Sequence, residues 1–201
     1  MQLKNYYWCF QNVLPERICN DILEYGKSLK DEKAKTWGYK DKELTPSIEK
    51  KLDKTRNSNV VWMDSRWIYR EIQPFVEIAN QNAGWNYHWD WSESCQFTKY
   101  DGSKKQHYGW HTDVGKEVGS NGKIRKLSMI IPLVNADEYE GGEFELNLST
   151  PEEKDKIIPI KEARKKGTVV VFPSFVWHRV TPVTSGTRYS LVNWHQGRPF
   201  S

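Results

Sequence analysis

Four residues in the second half of the chain have the side-chain types that hold a metal ion and an anionic ligand. His111 and Asp113 lie two residues apart, and His178 is followed ten residues later by Arg188. Two imidazoles and one carboxylate can occupy one face of an iron ion and leave three coordination positions open for a cosubstrate and oxygen. The arginine could then bind the far end of a dicarboxylate, because a guanidinium pairs with a carboxylate through two parallel hydrogen bonds.

The spacing of the first two candidate ligands suits a β-strand. Residues two apart in a strand point to the same face, so His111 and Asp113 can reach one ion. The pattern is not specific, because a second His-x-Asp pair occurs at His88 and Asp90. We expect that second pair to form the polar face of a strand whose other face is aromatic, and not to bind metal.

Three histidines are candidates for the remaining ligand position. His178 follows the apolar run 167–172, which predicts a buried strand that ends near a site. His195 is followed by an arginine after only three residues, and we expect it on the outer face of a terminal strand. His107 would lie about 13 Å from His111 along one strand, which favours a place at the mouth of a site.

The first 84 residues predict helices that support the site. A proline in the sequence Leu-Pro-Glu at 14–16 marks a helix start, and a second helix is expected from Asp64 or Ser65. The two apolar stripes comprise Ile18, Ile22, Tyr25 and Leu29 in the first helix, and Ile68, Ile72, Phe75, Val76 and Ala79 in the second. The polar segment 31–62 between the two helices predicts a long loop or variable segment.

From residue 85 onward the apolar period changes to two, which predicts strands. Tryptophans and a tyrosine alternate with polar residues from Trp85 to Trp91, and short strands are expected at about 107–113, 125–134, 142–148, 156–160, 167–172, 176–182 and 187–195. Strands after helices predict a mainly β chain with supporting helices, as a β-sandwich or jelly roll. We expect one domain over residues 1–201, with the β core in 85–201.

Composition predicts the character of the core and gives no indication of nucleic-acid binding. Ten Trp, ten Tyr and seven Phe predict an aromatic-rich core, and a net charge of +4 is too small to indicate nucleic-acid binding. A local group of basic residues near His111 could attract an anionic cosubstrate or simply form a solvated surface: Lys104, Lys105, Lys116, Lys123, Arg125 and Lys126.

Cysteine usage and hydropathy predict the compartment. Cys9, Cys19 and Cys95 are odd in number and form no Cys-x-x-Cys pair, so we expect reduced cysteines without a disulfide framework. The start of the chain lacks a signal-peptide pattern, and the longest apolar stretch, 127–134, is far shorter than a membrane span. We therefore expect a soluble, cytoplasmic protein with no membrane partner.

The region from Tyr100 to Pro199 resembles the iron(II)- and 2-oxoglutarate-dependent oxygenases. It is most similar to the prolyl 4-hydroxylase-like branch that includes the bacterial PKHD-type hydroxylases. The matching motifs are Tyr100, Trp110 to Asp113, Arg125 with Leu127 and Ser128, Tyr139 to Glu143, Gly167 to Pro173, His178 to Val183 and Gly186 to Ser190. Collagen-type prolyl hydroxylases have lysine where this chain has Arg188, so the arginine favours the PKHD-like or oxygen-sensing side of the family.

The resemblance implies a fold, cofactors and roles for particular residues. The fold would be a cupin-like double-stranded β-helix, with iron(II) held by His111, Asp113 and His178. Arg188 would bind the 5-carboxylate of 2-oxoglutarate, and Tyr100 would donate a hydrogen bond near it. Oxygen would be the other cosubstrate and ascorbate a candidate reductant. The candidate substrate-pocket residues are Trp110, Trp177 and Tyr108.

The family also leaves several functions open. A prolyl residue in a peptide or protein is the favoured substrate, and a free amino acid, another small molecule or a nucleobase are alternatives. Nucleobase dealkylating relatives have a second arginine six residues after the first, where this chain has Trp194. A cupin-like binding protein would have lost a ligand or the arginine, and zinc hydrolysis would leave Arg188 unexplained.

Overall fold

A large β-sheet with helices on one face and a smaller sheet on the other forms the framework. The computed structural model describes residues 3–36, 39, 42–115 and 118–200. Within these residues the helices are α1 Glu16–Ser28, α2 Pro46–Thr55 and α3 Arg66–Asn82. The strands are β1 Trp8–Phe10, β2 Glu32–Lys33, β3 Arg56–Asn57, β4 Asn59–Met63, β5 Trp91–Ser92, β6 Cys95–Asp101, β7 His107–His111, β8 Ile124–Pro132, β9 Tyr139–Gly141, β10 Phe144–Asn147, β11 Ile157–Pro159, β12 Val169–Pro173, β13 Trp177–Val180 and β14 Val183–Gly197.

All strand pairs in the two sheets are antiparallel. The nine-stranded sheet has the order β1-β12-β8-β14-β6-β4-β2, with β5 and β9 also paired to β14, and the five-stranded sheet has the order β11-β10-β13-β7-β3. One apolar cluster joins α1 and α3 to the outer face of the large sheet, and a second joins its inner face to the small sheet. The prediction of a mainly β chain is therefore confirmed.

Helix α1 begins where the sequence predicts and covers the large sheet. Pro15 occupies the N-cap position and Glu16 lies in the first turn, where a negative charge is favourable. Ile18 and Ile22 are buried as expected, but Leu29 is 37% exposed because the helix ends before it. Gly26 completes the buried face, since a side chain there would collide with the ring of Phe97 on β6.

Helix α3 follows the predicted cap and stripe. Ser65 is the N-cap residue, and the helix continues through Pro74 to Asn82. Its buried face packs on the same side of the large sheet as α1, through Ile68, Ile72, Val76 and Ala79. Phe75 lies at the edge of this face, where its ring contacts that of Phe10 on β1.

The prediction of a long loop over 31–62 is wrong for most of its length. The segment contains β2, α2, β3 and β4, and β4 pairs with β6 along five residues. Thr45 caps α2 through its side chain, but Leu52 is the helix's one fully buried residue, so the apolar signal in the sequence is weak. Residues 37, 38, 40 and 41 lie outside the described part of the chain.

The prediction of a strand through the alternating aromatic residues from Trp85 onward is also wrong, because in this segment regular strand pairing covers only Trp91 and Ser92. Asn86 has a φ of 51°, which places it in the left-handed region that interrupts a strand. The amide side chain of Asn80 holds this bend, since it accepts from the backbone N–H of Tyr87 and donates to the carbonyl of Tyr87. The burial still alternates between Trp85 and Asp90, but without a ladder of hydrogen bonds.

Two further expectations concern the cysteines and the membrane. Cys19 and Cys95 are buried, Cys9 is half-buried, and all three are free thiols as expected. In the described ranges, no helix combines the length and the apolar character that crossing a membrane would require.

The packing of α3 on the sheet yields a stability prediction. Ile72→Ala should lower the free energy of unfolding by about 2–5 kcal/mol, because Ile72 is fully buried and its truncation leaves a cavity. Ile78→Ala on the same helix is the matched control, since Ile78 is 43% exposed, and should change stability by less than about 0.5 kcal/mol. Urea denaturation measures both, and equal losses would contradict the assignment of the buried face.

Candidate active site

The two histidines of the site are brought together by the pairing of β7 with β13. His178 is opposite His111, Val180 is opposite Tyr108, and the register shifts between these two pairs. The shift is a bulge in which an extra residue of β7 re-aims its neighbours. The imidazole rings of His111 and His178 consequently lie 4.0 Å apart between their centroids.

Asp113 is held by the loop that precedes β13 and by β8. Its backbone N–H donates to the carbonyl of Ser174 at 2.8 Å, and its Oδ2 accepts from the hydroxyl of Ser128 at 2.7 Å. The hydroxyls of Ser128 and Ser174 are 2.9 Å apart. The carboxylate is therefore oriented by β8 of the large sheet, and the Asp113 backbone is held by the turn between β12 and β13.

The ligand atoms of the three residues converge. The Nδ1 atoms of His111 and His178 are 2.8 and 2.9 Å from the carbonyls of Gly109 and Val176. These carbonyls fix the tautomer with the proton on Nδ1 and leave each Nε2 lone pair free to bind a metal. The Nε2 atoms face the Asp113 carboxylate at 3.7 and 3.3 Å, and three ligand atoms lie within 4.8 Å of one another.

Burial and mutual charge set the protonation of this group. Burial alone would raise the pKa of Asp113, but His178, His111 and Arg125 together hold that pKa well below its ordinary value. Burial and the neighbouring His178 lower the pKa of His111 well below its usual range, against the effect of Asp113. An ionised carboxylate and a neutral imidazole are the forms that bind a metal ion.

A cavity of about 960 Å³ opens between the two sheets and contains the three residues. Its inner wall is apolar, from Phe144, Phe172 and Val180, and the ring of Phe172 meets that of His178 edge-on at 4.8 Å. Trp62 and Trp91 also line it, and both are 47% exposed, so they mark its outer end. The site is dry at its base and open at one side.

Arg188 lies on β14 beside Tyr100 of β6, its direct cross-strand partner. Its guanidinium is 99% buried by the chain, donates from Nη1 to the hydroxyl of Ser190 at 3.2 Å, and is 5.4 Å from the centre of the Tyr100 ring. In the described part of the chain, Nε and Nη2 find no hydrogen-bond partner. Tyr100 and Ser190 line the cavity and Arg188 does not, so its two unused donors lie buried next to these lining residues.

Burial raises the pKa of the Tyr100 phenol, although Arg56 and Arg188 oppose that shift. The phenol therefore stays protonated at neutral pH and is able to donate a hydrogen bond. Tyr100 and Arg188 together form a donor set suited to a carboxylate.

Of the three candidate pocket residues, the structure places one in the cavity lining and two outside it. Tyr108 lines the cavity, and its ring stacks on that of His111 at 3.5 Å. Trp110 and Trp177 do not line this cavity, so their place in a substrate pocket stays a prediction. Each is adjacent in its strand to a ligand histidine and points to the opposite face, where Arg179 covers the Trp110 ring at 4.6 Å.

The other histidines lie apart from the cluster. His195 is fully buried rather than on an outer face: its Nδ1 is 2.9 Å from the hydroxyl of Ser92, and its ring packs on Trp89. His107 bonds to the carbonyl of Lys105 and is not a cavity residue. His88 and Asp90 are exposed, and Asp90 accepts from Lys123.

The group of basic residues does not form a continuous rim. Lys104 and Lys105 are exposed and outside the cavity lining, and Lys126 is buried with its ammonium 3.3 Å from the Phe200 ring. Lys123 and Arg125 line the cavity, but each is paired with an acid. Lys116 lies outside the described residues.

Two cavity residues, Arg56 and Glu93, were missed as functional candidates, and Arg125 was named only within the basic group and a family motif. Arg125 makes a two-point contact with Glu93 and lies 4.0 Å from Oδ1 of Asp113. Arg56 covers the ring of Tyr108 at 4.4 Å. The Arg-x-Leu-Ser motif contained a signal for Arg125, whereas Arg56 and Glu93 belong to segments with no recognised motif.

Several known proteins are similar in sequence. A PKHD-type hydroxylase of Synechococcus sp. (strain CC9605) is 38% identical over 92 residues, which are 46% of this chain and 37% of the relative. A PKHD-type hydroxylase of Prochlorococcus marinus (strain MIT 9301) is 30% identical over 147 residues, which are 73% of this chain and 59% of the relative. The matches thus span about two fifths to three fifths of these relatives' length.

Solved structures share the fold at low sequence identity. A Pseudomonas putida prolyl-4-hydroxylase superposes with a TM-score of 0.68 at 18% identity, over 98% of this chain and 95% of the other. A Trichoplax adhaerens prolyl hydroxylase, solved with a peptide fragment of a hypoxia inducible factor, superposes with a TM-score of 0.68 at 19% identity over 96% and 84%.

The sequence model of one family covers residues 95–196, which include all of the residues from Tyr100 to Arg188. That match extends over about half of the chain. The chain therefore belongs to the 2OG-Fe(II) oxygenase superfamily.

Proposed function

We propose that the chain is an iron(II)- and 2-oxoglutarate-dependent dioxygenase that hydroxylates a C–H bond of a prolyl residue in a peptide or protein. The observation that carries the proposal is the combination of three converging ligand atoms with a buried guanidinium that has two unused donors. The first suits iron(II), and the second suits the distal carboxylate of 2-oxoglutarate. Membership of the superfamily supports both assignments.

The residues present fit the two groups. His111, Asp113 and His178 would hold iron(II) through two Nε2 atoms and one carboxylate oxygen, since their Nδ1 atoms are already engaged. Arg188 would bind the 5-carboxylate of 2-oxoglutarate through Nε and Nη2, which otherwise remain buried without a partner. A buried donor without an acceptor is costly, so the arginine favours an anionic ligand.

The chain's own residues would act by positioning and by excluding water. When bound, iron(II) with 2-oxoglutarate and oxygen supplies the oxidising chemistry, which releases succinate and carbon dioxide. Ser128 orients the Asp113 carboxylate, and the two backbone carbonyls fix the histidine rings. The wall of Phe144, Phe172 and Val180 keeps the base of the cavity dry, which protects a reactive oxidant from side reactions.

A prolyl substrate and a double-stranded β-helix are the finer parts of the proposal. The structural neighbours are prolyl hydroxylases, one of them solved with a peptide, and the two facing antiparallel sheets are consistent with a jelly roll. The cavity is large enough for a peptide side chain and is lined by aromatic rings, including Tyr108 and Trp194, that suit a proline ring. We further propose that residues 1–201 act as one domain.

Turnover is the first prediction. The iron-loaded protein should form succinate from 2-oxoglutarate, and a proline-containing peptide should increase the rate because substrate binding completes the site. Mass spectrometry should show a gain of one oxygen on the peptide. Bound iron without succinate under any of a panel of peptides, amino acids and single-stranded oligonucleotides would instead indicate a binding protein.

Iron binding discriminates between the two His-x-Asp pairs. His111→Ala and Asp113→Ala should each lose stoichiometric iron(II) binding, because each removes one of three ligands. His88→Ala and Asp90→Ala are matched controls that should bind iron(II) like the wild type, since both residues are exposed. Anaerobic titration measures the stoichiometry, and loss of iron in the control pair would show that the wrong pair had been chosen.

Cosubstrate binding tests Arg188 separately. Arg188→Ala should weaken 2-oxoglutarate binding by about tenfold to a hundredfold, the range for losing a charge-assisted hydrogen bond, with iron stoichiometry unchanged. Arg188→Lys keeps the charge but not the two-point contact and should bind with intermediate affinity. Calorimetry under anaerobic conditions measures both constants. Unchanged affinity in both variants would remove Arg188 from the site.

A further inference from the structure

A second buried arginine, besides Arg188, lines the cavity and has no acidic partner among the residues that the structure describes. Arg56 is 7% exposed and lines the cavity. Its Nε donates to the hydroxyl of Ser58 at 3.0 Å, and its Nη2 donates to the side-chain oxygen of Gln96. Both of these partners are neutral. Among the described residues, no carboxylate lies within ion-pair distance of this guanidinium, in contrast to Arg125, which Glu93 neutralises.

The position of Arg56 relates it to the metal ligands. Its guanidinium carbon is 4.4 Å from the centre of the Tyr108 ring. The His111 ring also stacks on the Tyr108 ring, with 3.5 Å between the two ring centres. A guanidinium and an imidazole cannot share one face at these distances, so Tyr108 lies between them. One aromatic ring therefore separates the positive charge of Arg56 from a candidate iron ligand.

The charges around the cavity leave Arg56 unbalanced even after the proposed cofactors bind. The charges of iron(II) and Arg188 would be cancelled by the 2-oxoglutarate dianion and Asp113. Among the other charged lining residues, Glu93 pairs with Arg125 and Lys123 pairs with Asp90, while Glu32 and Lys35 contribute one negative and one positive charge. A buried charge without a counter-charge is unfavourable, so a negative group arriving with the substrate would be stabilised.

We propose that Arg56 is a specificity-determining residue that binds a carboxylate of the substrate next to the position of hydroxylation. The inference rests on the proposed function, which it deepens by assigning an anionic substrate class. The path from the guanidinium to the His111 ring consists of two stacking separations, 4.4 and 3.5 Å. Together they are about as long as two residues of extended chain. The carboxylate therefore belongs to the hydroxylated residue or to one within about two positions of it.

Two sources supply the same chemistry. An acidic side chain near the reactive residue of a peptide presents one carboxylate, and a free amino acid presents its α-carboxylate. The arms of the experiment separate them. One arm compares capped peptides that carry a single proline and either Glu or Gln one or two positions away. The other compares free L-proline with L-prolinamide.

Binding is measured by calorimetry on the iron-loaded protein with saturating 2-oxoglutarate and without oxygen, so that Arg188 is occupied and no turnover is needed. In at least one arm, the acidic probe should bind roughly tenfold or more tightly than its amide counterpart. The preference should weaken at high salt, although less than for an exposed charge. The arm that shows the preference identifies the source of the carboxylate.

Variants connect the preference to Arg56. Arg56→Gln should reduce the difference between acid and amide to less than about twofold, and Arg56→Lys should retain part of it, because lysine keeps the charge but loses the fork. Arg179→Gln is the matched control: Arg179 also covers an aromatic ring, Trp110, and pairs with an acid, Glu145, but lies outside the cavity lining. It should keep the full preference.

The outcomes separate this inference from the proposed function. A wild-type protein that shows no acid preference in either arm, including no measurable binding of any probe, overturns the carboxylate site whatever the turnover assay shows. A preference for the acidic probe that persists in Arg56→Gln overturns the assignment to this residue. If Arg56→Gln does not fold, a preference of undiminished strength in Arg56→Lys overturns the assignment instead. A preference lost in Arg56→Gln supports the inference even if no succinate is formed.

Discussion

The antiparallel pairing of β7 with β13 is the constraint on which the rest of the site depends. It places His111 directly opposite His178, and the bulge beside this pair turns Tyr108 into the cavity and Trp110 out of it. A slip of one residue would reverse every side chain of a strand. The ligand histidines, the stacked tyrosine and the orientation of Arg56 therefore all follow from one register.

The large sheet completes the site from the other side. Ser128 on β8 bonds to Asp113, and Arg188 on β14 lies across from Tyr100 on β6. The helices α1 and α3 do not touch the cavity, but they cover the outer face of these strands with a continuous apolar cluster. A rigid, covered sheet allows polar and charged groups to be buried on its inner face with fixed geometry.

Three arginines in or next to the cavity have different surroundings. Arg125 is neutralised by Glu93 and lies 4.0 Å from Oδ1 of Asp113, so it supports that carboxylate. Arg188 has two unused donors next to Tyr100, which suits a cosubstrate carboxylate. Arg56 has neutral partners only, on the far side of Tyr108 from His111. These differences in surroundings are the basis for proposing that Arg125 supports the site, Arg188 binds the cosubstrate and Arg56 selects the substrate.

Helices, strands and site residues were predictable from the sequence where the residues of one segment form a recognisable pattern by themselves. The starts of α1 and α3, the apolar run of β12 and the residues around His111, His178 and Arg188 were all recognised in that way. The segment 31–62 was not, because α2 buries little and β4 is stabilised by its pairing with β6 rather than by its own pattern. The bend at Asn86 depends on the side chain of Asn80, which no alternation of residues reveals.

By itself the sequence determined which side chains are available for chemistry: two imidazoles, a carboxylate and an arginine at spacings typical of one family. Only the tertiary structure decided which residues share the cavity with them. It placed Trp110, Trp177 and His195 outside the cavity lining and added Arg56 and Glu93 to it. The physical reason is that side-chain direction depends on strand register and bulges, which are set by partners distant in sequence.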